Sequence, residues 1–160
     1  MTLKGLDYEK QKIHFLTVST VEARGLSGEQ SSSCQIEISV QDQNDHAPIF
    51  ITPRQVSVRN DAQIGSKIAL VKATDEDGTS PGNMVEYEFV EPSEHFKIDA
   101  KSGEIELLSD LTKEVFGQYT LEIKAKDLGI PMLETKTYLV IKVDQVVTMA
   151  PELGIGQVSH

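Results

Sequence analysis

Apolar and polar residues alternate over short runs along this chain, a pattern that predicts β-strands rather than helices. Alternation is clearest in residues 34–40 (CQIEISV) and 119–125 (YTLEIKA), and it is looser in residues 138–143 (YLVIKV). Shorter candidate strands cover residues 56–58, 68–71, 85–89 and 96–98. Sequences rich in Gly, Pro, Asn and Asp, such as residues 80–83 (SPGN), separate these runs and favour turns. We therefore predict an all-β fold.

The predicted strands are unevenly distributed along the chain. About seven of them fit between Pro48 and Asp144, which is the strand count of an antiparallel β-sandwich. Only two or three fit before Asp42, and so few strands do not bury a core independently. The strand count therefore predicts that the first 40-odd residues are the end of a truncated domain.

An internal repeat supports this division of the chain. Residues 6–9 correspond to residues 111–114 at an offset of 105, and residues 38–40 correspond to residues 141–143 at an offset of 103. A period near 100 residues is typical of tandem domains rather than of a solenoid. We predict three parts: the end of one repeat in residues 1–45, a complete repeat in residues 46–147 and a flexible tail in residues 148–160.

Composition restricts the possible partners. Among the 160 residues, 15 are Lys or Arg and 25 are Asp or Glu, which gives a formal charge of −10. This charge argues against binding to nucleic acid and to anionic membrane surfaces, since phosphate binding needs clustered cations. No run approaches the roughly 20 apolar residues of a membrane span, and no signal-like segment opens the chain, so we expect contact with a membrane only through other segments of a parent protein. Cys34 is the single cysteine, and its place on an apolar strand face predicts a small buried hydrophobe.

Acidic residues are concentrated in two short segments. Residues 42–48 (DQNDHAP) combine two carboxylates, two amides and an imidazole in a linker that Pro48 keeps extended, and residues 75–77 (DED) follow a predicted strand. Carboxylates about 4 Å apart repel by about 1 kcal/mol in water and about 4 kcal/mol at an effective dielectric constant of 20. A bound cation relieves this repulsion. Calcium fits best, because it takes six to eight oxygen ligands in irregular geometry, whereas zinc favours His and Cys.

At this point the residues resemble a known family. Residues 38–48 (ISVQDQNDHAP) resemble, position for position, the signature that joins consecutive repeats of cadherins. Residues 6–9 (LDYE), 73–77 (ATDED) and 125–129 (AKDLG) are similar to the acidic motifs of that family. The resemblance implies a Greek-key, immunoglobulin-like β-sandwich preceded by a partial repeat. It also implies a place on the extracellular side of the plasma membrane, in the ectodomain of a single-pass protein.

The resemblance further implies three calcium ions between the repeats. The ion nearest the complete repeat would be bound by Asn44, the His46 carbonyl, Asp75, Asp77, the Asn83 carbonyl and Asp127. The middle ion would be bound by Glu9, Asp42, the Gln43 carbonyl, Asp45 and Asp77. The outermost ion would be bound by Asp7, Glu9 and Asp45. The last two ions also need a Glu from an earlier part of the first repeat, so we expect one complete site and two weakened ones.

The far end of the complete repeat departs from the family pattern. Asn60 stands where an early Glu is expected, and residues 111–114 read LTKE instead of the acidic motif. In the next linker Gln145, Val147 and Thr148 replace Asp, Asn and Asp. The sequence therefore predicts no calcium cluster after this repeat.

The main functional hypothesis is a calcium-dependent cell-adhesion fragment. Calcium would make the linker rigid, and the partners would be other cadherin molecules, with homophilic adhesion as the first expectation. A calcium-stiffened spacer without an adhesive surface is the first alternative. A calcium-dependent hydrolase using Asp75 and Asp77 is a remote one, since the chain contains no Gly-x-Ser-x-Gly or His-Glu-x-x-His motif. We therefore expect no enzyme activity.

Overall fold

Eleven β-strands and no α-helix are present in the part of the chain that the computed structural model describes, residues 5–20, 32–113 and 117–146. The strands are β1 (Ile13–Ser19), β2 (Ser33–Ser39), β3 (Ile49–Phe50), β4 (Gln55–Arg59), β5 (Lys67–Leu70), β6 (Ala73–Thr74), β7 (Val85–Phe89), β8 (Phe96–Ile98), β9 (Glu104–Leu107), β10 (Gln118–Asp127) and β11 (Glu134–Asp144). The predicted all-β class is confirmed. These residues include no helix that could cross a membrane. The predicted tail, residues 148–160, lies outside the described residues.

The described residues form two compact units. One, called here the linker unit, consists of the described residues of Met1–Ile51, Ala73–Glu86 and Ala125–Thr135. The other, called here the sandwich unit, consists of those of Thr52–Lys72, Tyr87–Lys124 and Lys136–His160. All of the predicted metal ligands belong to the linker unit.

The sandwich unit contains most of two sheets. The larger sheet has the strand order β4-β11-β10-β7, and the smaller has the order β5-β9-β8. β4 runs parallel to β11, with Gln55 opposite Val140 and Arg59 opposite Asp144. β9 pairs antiparallel with both β5 and β8.

The core of the sandwich unit follows from the alternation seen in the sequence. Ile123 of β10, Ile141 of β11 and Ile105 of β9 have no exposed surface, and Phe96 of β8 is 1% exposed. Successive side chains of a strand point to opposite faces, so a run of alternating apolar residues buries one face. The interior of the unit is built from such faces.

The linker unit contains two short antiparallel strand pairs. β1 pairs with β2, so that Leu16 lies opposite Ile36 and Val18 opposite Cys34. Leu16, Val18 and Ile36 are 51%, 50% and 45% exposed, and Cys34 is also exposed. The prediction that Cys34 is buried is therefore wrong, because nothing among the described residues covers this face of the pair.

The second pair of the linker unit was not expected from the sequence. β3 pairs with β6, with Ile49 opposite Thr74. The described residues thus form nine strands from β3 to β11, where the sequence pattern predicts about seven. Two-residue strands are too short to show any periodicity. Because β6 ends directly before Asp75, this pair positions the start of the acidic loop.

Candidate metal centre

Three segments of the linker unit meet around the predicted metal ligands. They are the linker at residues 42–48, the loop at residues 75–83 after β6, and residues 127–133 at the end of β10. Hydrogen bonds join the linker to both of the others, through Asp77 in one case and Asp127 in the other. Polar groups that are far apart in the sequence are therefore collected in one place.

Asp77 lies at the centre of this arrangement and is only 4% exposed. Its Oδ1 accepts hydrogen bonds from the backbone N–H groups of Asp45 at 3.4 Å and His46 at 3.2 Å, and Nδ1 of His46 lies 3.0 Å away. Its Oδ2 is buried and has no hydrogen-bond partner among the described residues. A buried carboxylate oxygen without a partner is costly in free energy, so this atom favours a cation beside it.

Asp127 is fully buried and holds the linker through Asn44. Oδ1 of Asp127 accepts hydrogen bonds from the N–H groups of Gly129 at 3.0 Å and Leu133 at 3.1 Å. Nδ2 of Asn44 donates to Oδ2 of Asp127 at 2.8 Å and to the carbonyl oxygen of Pro131 at 2.7 Å. The Oδ1 of Asn44 is left buried without a partner among the described residues.

Asp75 shows the electrostatic cost of the cluster. Its Oδ1 accepts the N–H of Asp77 at 2.9 Å. Burial raises the pKa of the Asp75 carboxyl, and the negative charges of Asp77 and Asp127 raise it further, against the opposing effect of that hydrogen bond. The ionised form of Asp75 is therefore disfavoured in the protein without an ion.

Several acceptors of the linker unit are buried but unsatisfied. For example, the Thr79 hydroxyl donates to Oδ2 of Asp42, while Oδ1 of Asp42 has no partner among the described residues. The buried side-chain oxygens without a hydrogen-bond partner in this unit are Glu9 Oε1, Asp42 Oδ1, Asn44 Oδ1, Asp75 Oδ2 and Asp77 Oδ2. Carboxylate and amide oxygens only accept hydrogen bonds, so the partner they lack is a donor or a cation.

The spacing of the ligand atoms suits a metal ion. Two groups of three ligand atoms, each group within 4.8 Å, are formed by Glu9, His46 and Asp77 and by Asp75, Asp77 and Asp127. A pocket of about 450 Å³ adjoins them and is lined in part by Asp42, Gln43 and Asn44. The donors are mostly oxygens, which suits a hard divalent cation rather than a soft one.

Three further predicted ligands take other positions. Asp7 accepts the Lys10 N–H at 3.0 Å and is paired with the Lys10 ammonium, which lowers the pKa of the Asp7 carboxyl. The Asp45 side chain is 67% exposed, and its Oδ1 lies 2.9 Å from Nδ1 of His46. Asn83 is exposed, and its N–H donates to a loop carbonyl at 3.2 Å. These residues lie at the edge of the cluster rather than among its buried oxygens.

The imidazole of His46 is a site group that the sequence reasoning missed. The motif implied a role only for its backbone carbonyl, yet the ring contacts Asp77 and also lies near Asp45. The hydrogen bond with Asp77 raises the pKa of the imidazole, and the negative charges of Asp45 and Asp77 contribute. The only signal in the sequence is its position directly after Asp45.

The comparisons with known proteins agree on one family. The family model that matches this chain is described as a cadherin domain and covers residues 54–144. Cadherin-99C of Drosophila melanogaster is 42% identical over 138 residues, which are 84% of this chain and 8% of that protein. The mouse protein named cadherin EGF LAG seven-pass G-type receptor 1 is 36% identical over 137 residues, which are 85% of this chain and 4% of that protein. The chain thus spans less than 10% of the length of these curated relatives.

Solved structures extend the likeness to the fold. The structure of human protocadherin-24 EC1-2 is 27% identical, has a TM-score of 0.74, and is matched over 88% of this chain and 70% of that chain. Cadherin repeats are immunoglobulin-like β-sandwiches, so the predicted fold class is confirmed.

Proposed function

Because the chain belongs to the cadherin family, we propose that it is part of an adhesion ectodomain whose inter-repeat linker binds calcium. In this proposal residues 1–45 are the end of one repeat and residues 46–147 are the next. Calcium makes the connection between them rigid. The parent protein lies on the extracellular side of the plasma membrane and adheres to other cadherin molecules, with homophilic adhesion as the first expectation.

The ion nearest the complete repeat is assigned to a set of ligands that includes the two buried carboxylates, Asp77 and Asp127. Its proposed ligands are Asn44, the His46 carbonyl, Asp75, Asp77, the Asn83 carbonyl and Asp127. The two weaker ions are assigned to Asp7, Glu9, Asp42, the Gln43 carbonyl, Asp45 and Asp77. Calcium supplies positive charge that all of these oxygens can share.

One observation carries this proposal. Five buried acceptor oxygens of the linker unit have no hydrogen-bond partner among the described residues, and they come from the linker, from the loop after β6 and from Glu9. Leaving such atoms unsatisfied costs roughly 1–3 kcal/mol each. A calcium ion takes six to eight oxygen ligands and therefore satisfies several of them at once.

The mechanism is electrostatic. Without an ion, the carboxylates of Asp75, Asp77 and Asp127 repel one another, which favours motion of the segments that carry them. With calcium bound, the same carboxylates attract a common centre, and Asn44 and His46 attach the linker to it. The linker then loses its hinge freedom, and tandem repeats form a rod.

A calcium titration by calorimetry tests the proposal. We expect saturable binding to the chelator-treated chain, with a dissociation constant of about 10⁻⁴ to 10⁻³ M, the range of extracellular calcium modules. Asp77→Asn should abolish it. The matched control is Asp99→Asn, because Asp99 lies in a turn of the sandwich unit. Its Oδ1 accepts hydrogen bonds from two backbone N–H groups, and the side-chain oxygen of Asn can accept the same two bonds. Absence of binding by the wild type, or equal binding by Asp77→Asn, would contradict a calcium site here.

Adhesion needs a separate experiment. Beads coated with this chain should aggregate in calcium and disperse when a chelator is added, if the chain itself carries a homophilic surface. Calcium binding without bead aggregation would instead support the calcium-stiffened spacer. That the chain is not an enzyme remains a prediction.

A further inference from the structure

A cluster of hydrogen bonds fastens the end of β11 in the sandwich unit. All of its members belong to the sandwich unit. The Asn60 backbone N–H donates to the carbonyl oxygen of Asp144 at 2.9 Å. Its side-chain Nδ2 donates to Oε1 of Gln145 at 3.1 Å, and its Oδ1 accepts the backbone N–H of Val146 at 3.1 Å. One residue thus contacts three consecutive residues of the exit segment, residues 144–146.

The position of Asn60 explains why its side chain is used. The parallel ladder between β4 and β11 ends with Arg59 opposite Asp144. Asn60 is the next residue, so its side chain continues the pairing where the backbone ladder stops. An amide side chain has both a donor and an acceptor, which lets it replace a pair of backbone groups.

The internal repeat allows the contacts of Asn60 to be compared with the corresponding positions of the first linker. At the offset of 103 residues, Gln145 occupies the position that Asp42 has in the first linker, and Val147 corresponds to Asn44. The carboxylate of Asp42 has one buried oxygen without a partner among the described residues, whereas Gln145 directly accepts a hydrogen bond from Asn60. Carboxylates only accept hydrogen bonds, so two of them need a cation between them, but two amides bind each other directly.

One nearby carboxylate, that of Asp61, is paired with a cationic side chain. Arg59 binds Asp61 through two hydrogen bonds, at 2.8 Å and 2.7 Å. Among the described residues, the groups of three metal-ligating side chains lie only in the linker unit.

From these contacts we infer that Asn60 and Gln145 form an amide clasp that holds the exit segment in place without a cation. The linker and the exit segment then respond differently to calcium. The linker at residues 42–46 depends on the ion, whereas residues 144–146 keep their direction when calcium is removed. The clasp is independent of the proposed calcium site, because its contacts involve none of the proposed ligands.

Nuclear magnetic resonance of the ¹⁵N-labelled chain tests the clasp. The readouts are the amide exchange rate and the ¹⁵N heteronuclear Overhauser effect of Val146, each measured in calcium and in a chelator. In the wild type both values should be the same in the two conditions. In Asn60→Ala the Val146 amide should exchange roughly fivefold faster, the effect expected for loss of one exposed hydrogen bond. The Ile141 amide in the core should keep its chemical shift, which shows that the variant is folded.

Two further variants separate the bonds of the clasp. Asn60→Asp keeps an acceptor for the Val146 N–H but loses the donor to Gln145, so Val146 should remain protected. Gln145→Ala should alter the Asn60 side-chain amide resonance and increase mobility at position 145. If chelation alone loosened Val146 in the wild type, or if Asn60→Ala left it protected, the clasp would be wrong. Equal loss of protection in Asn60→Ala and Asn60→Asp would also overturn it.

The outcomes are distinguishable from those of the calcium proposal. Calorimetry without calcium binding, together with a protected Val146 that depends on Asn60, removes the calcium proposal and keeps the clasp. If calcium binding is lost in Asp77→Asn and the exchange rate of the Val146 amide is unchanged in Asn60→Ala, the calcium proposal is kept and the clasp is removed.

Discussion

Asn44 and Asp127 are 83 residues apart in the sequence, yet Nδ2 of Asn44 donates to Oδ2 of Asp127 at 2.8 Å. The same nitrogen donates to the carbonyl oxygen of Pro131 at 2.7 Å. Gly129 lies between Asp127 and Pro131 in the sequence, and a Cβ atom at position 129 would be 1.9 Å from Oδ1 of Asn44. The linker amide can occupy this place only because residue 129 has no side chain.

Gly129→Ala should therefore displace Asn44. We expect a loss of about 1–3 kcal/mol in the free energy of unfolding, as for other insertions into close packing. Calcium affinity should fall as well, since Oδ1 of Asn44 is a proposed ligand. Urea denaturation and calorimetry measure the two effects. The control is Gly5→Ala, where a Cβ would meet nothing within 4 Å. Equal behaviour of the two variants would show that the contact at Gly129 does not hold the linker.

Asp75→Asn should have opposite effects with and without calcium. Burial raises the pKa of the Asp75 carboxyl, which means that its charge destabilises the ion-free protein. The amide keeps the acceptor for the Asp77 N–H and removes the charge, so the ion-free variant should be more stable than the wild type. The stabilisation by calcium should disappear. Thermal unfolding in chelator tests the expected gain in stability, and thermal unfolding in calcium tests the loss of stabilisation by the ion. Asp99→Asn is the control. An ion-free Asp75→Asn protein less stable than the wild type would contradict this reading of the cluster.

The ion-free protein should become more stable as the solution is acidified from about pH 8 to pH 6. The folded protein raises the pKa of His46, so it binds a proton more readily than the unfolded chain does. The resulting stabilisation is fully present below the unfolded pKa of His46 and is lost as the pH rises through the folded one. The raised pKa of Asp75 acts in the same direction at lower pH.

Calcium reverses that trend, because protons and calcium compete for the same cluster. Calcium affinity should decrease as the pH is lowered from 8 to 6. Thermal unfolding in a chelator and calorimetry in calcium, each at a series of pH values, measure the two trends. His46→Gln should flatten both of them near neutral pH. An unchanged pH dependence in that variant would assign the effect to another group.

The parts of the structure that could be predicted are those with a local signal. Residues 119–125 and 138–143 alternate, and they lie within β10 and β11, whose inward faces form the core. The acidic residues were found because carboxylates concentrated in a linker and a loop are unfavourable without a cation. Their convergence depends on long-range contacts such as that of Asn44 with Asp127, which only the family resemblance could suggest.

The parts that could not be predicted lack such a signal. β3 and β6 have two residues each, so they show no period, and their pairing joins segments more than 20 residues apart. The exposure of Cys34 depends on what covers its strand face, which alternation does not reveal. The contact of the His46 ring with Asp77 depends on side-chain direction within an irregular linker.

The clearest test of backbone packing in the sandwich unit is a pair of glycine substitutions. Gly103 and Gly65 both have positive φ, at 72° and 85°, a conformation that is strained for other residues. A Cβ at position 103 would also lie 2.2 Å from the carbonyl oxygen of Val71, while a Cβ at position 65 would meet nothing within 4 Å. The Val71 N–H donates to the carbonyl oxygen of Gly103 at 2.9 Å, so neither backbone can move away freely.

Gly65→Ala should therefore cost about 1 kcal/mol, the conformational strain alone. Gly103→Ala should cost about 3 kcal/mol or more, since the collision with the Val71 carbonyl adds to the same strain. Urea denaturation gives both values, provided that the free energy of unfolding depends on urea concentration with the same slope in the two variants. Because both glycines have positive φ, the difference between the two losses in free energy of unfolding measures the effect of the collision alone. Equal destabilisation would mean that the turn at Gly103 relaxes away from Val71, and that strain at φ is the only reason for glycine at either position.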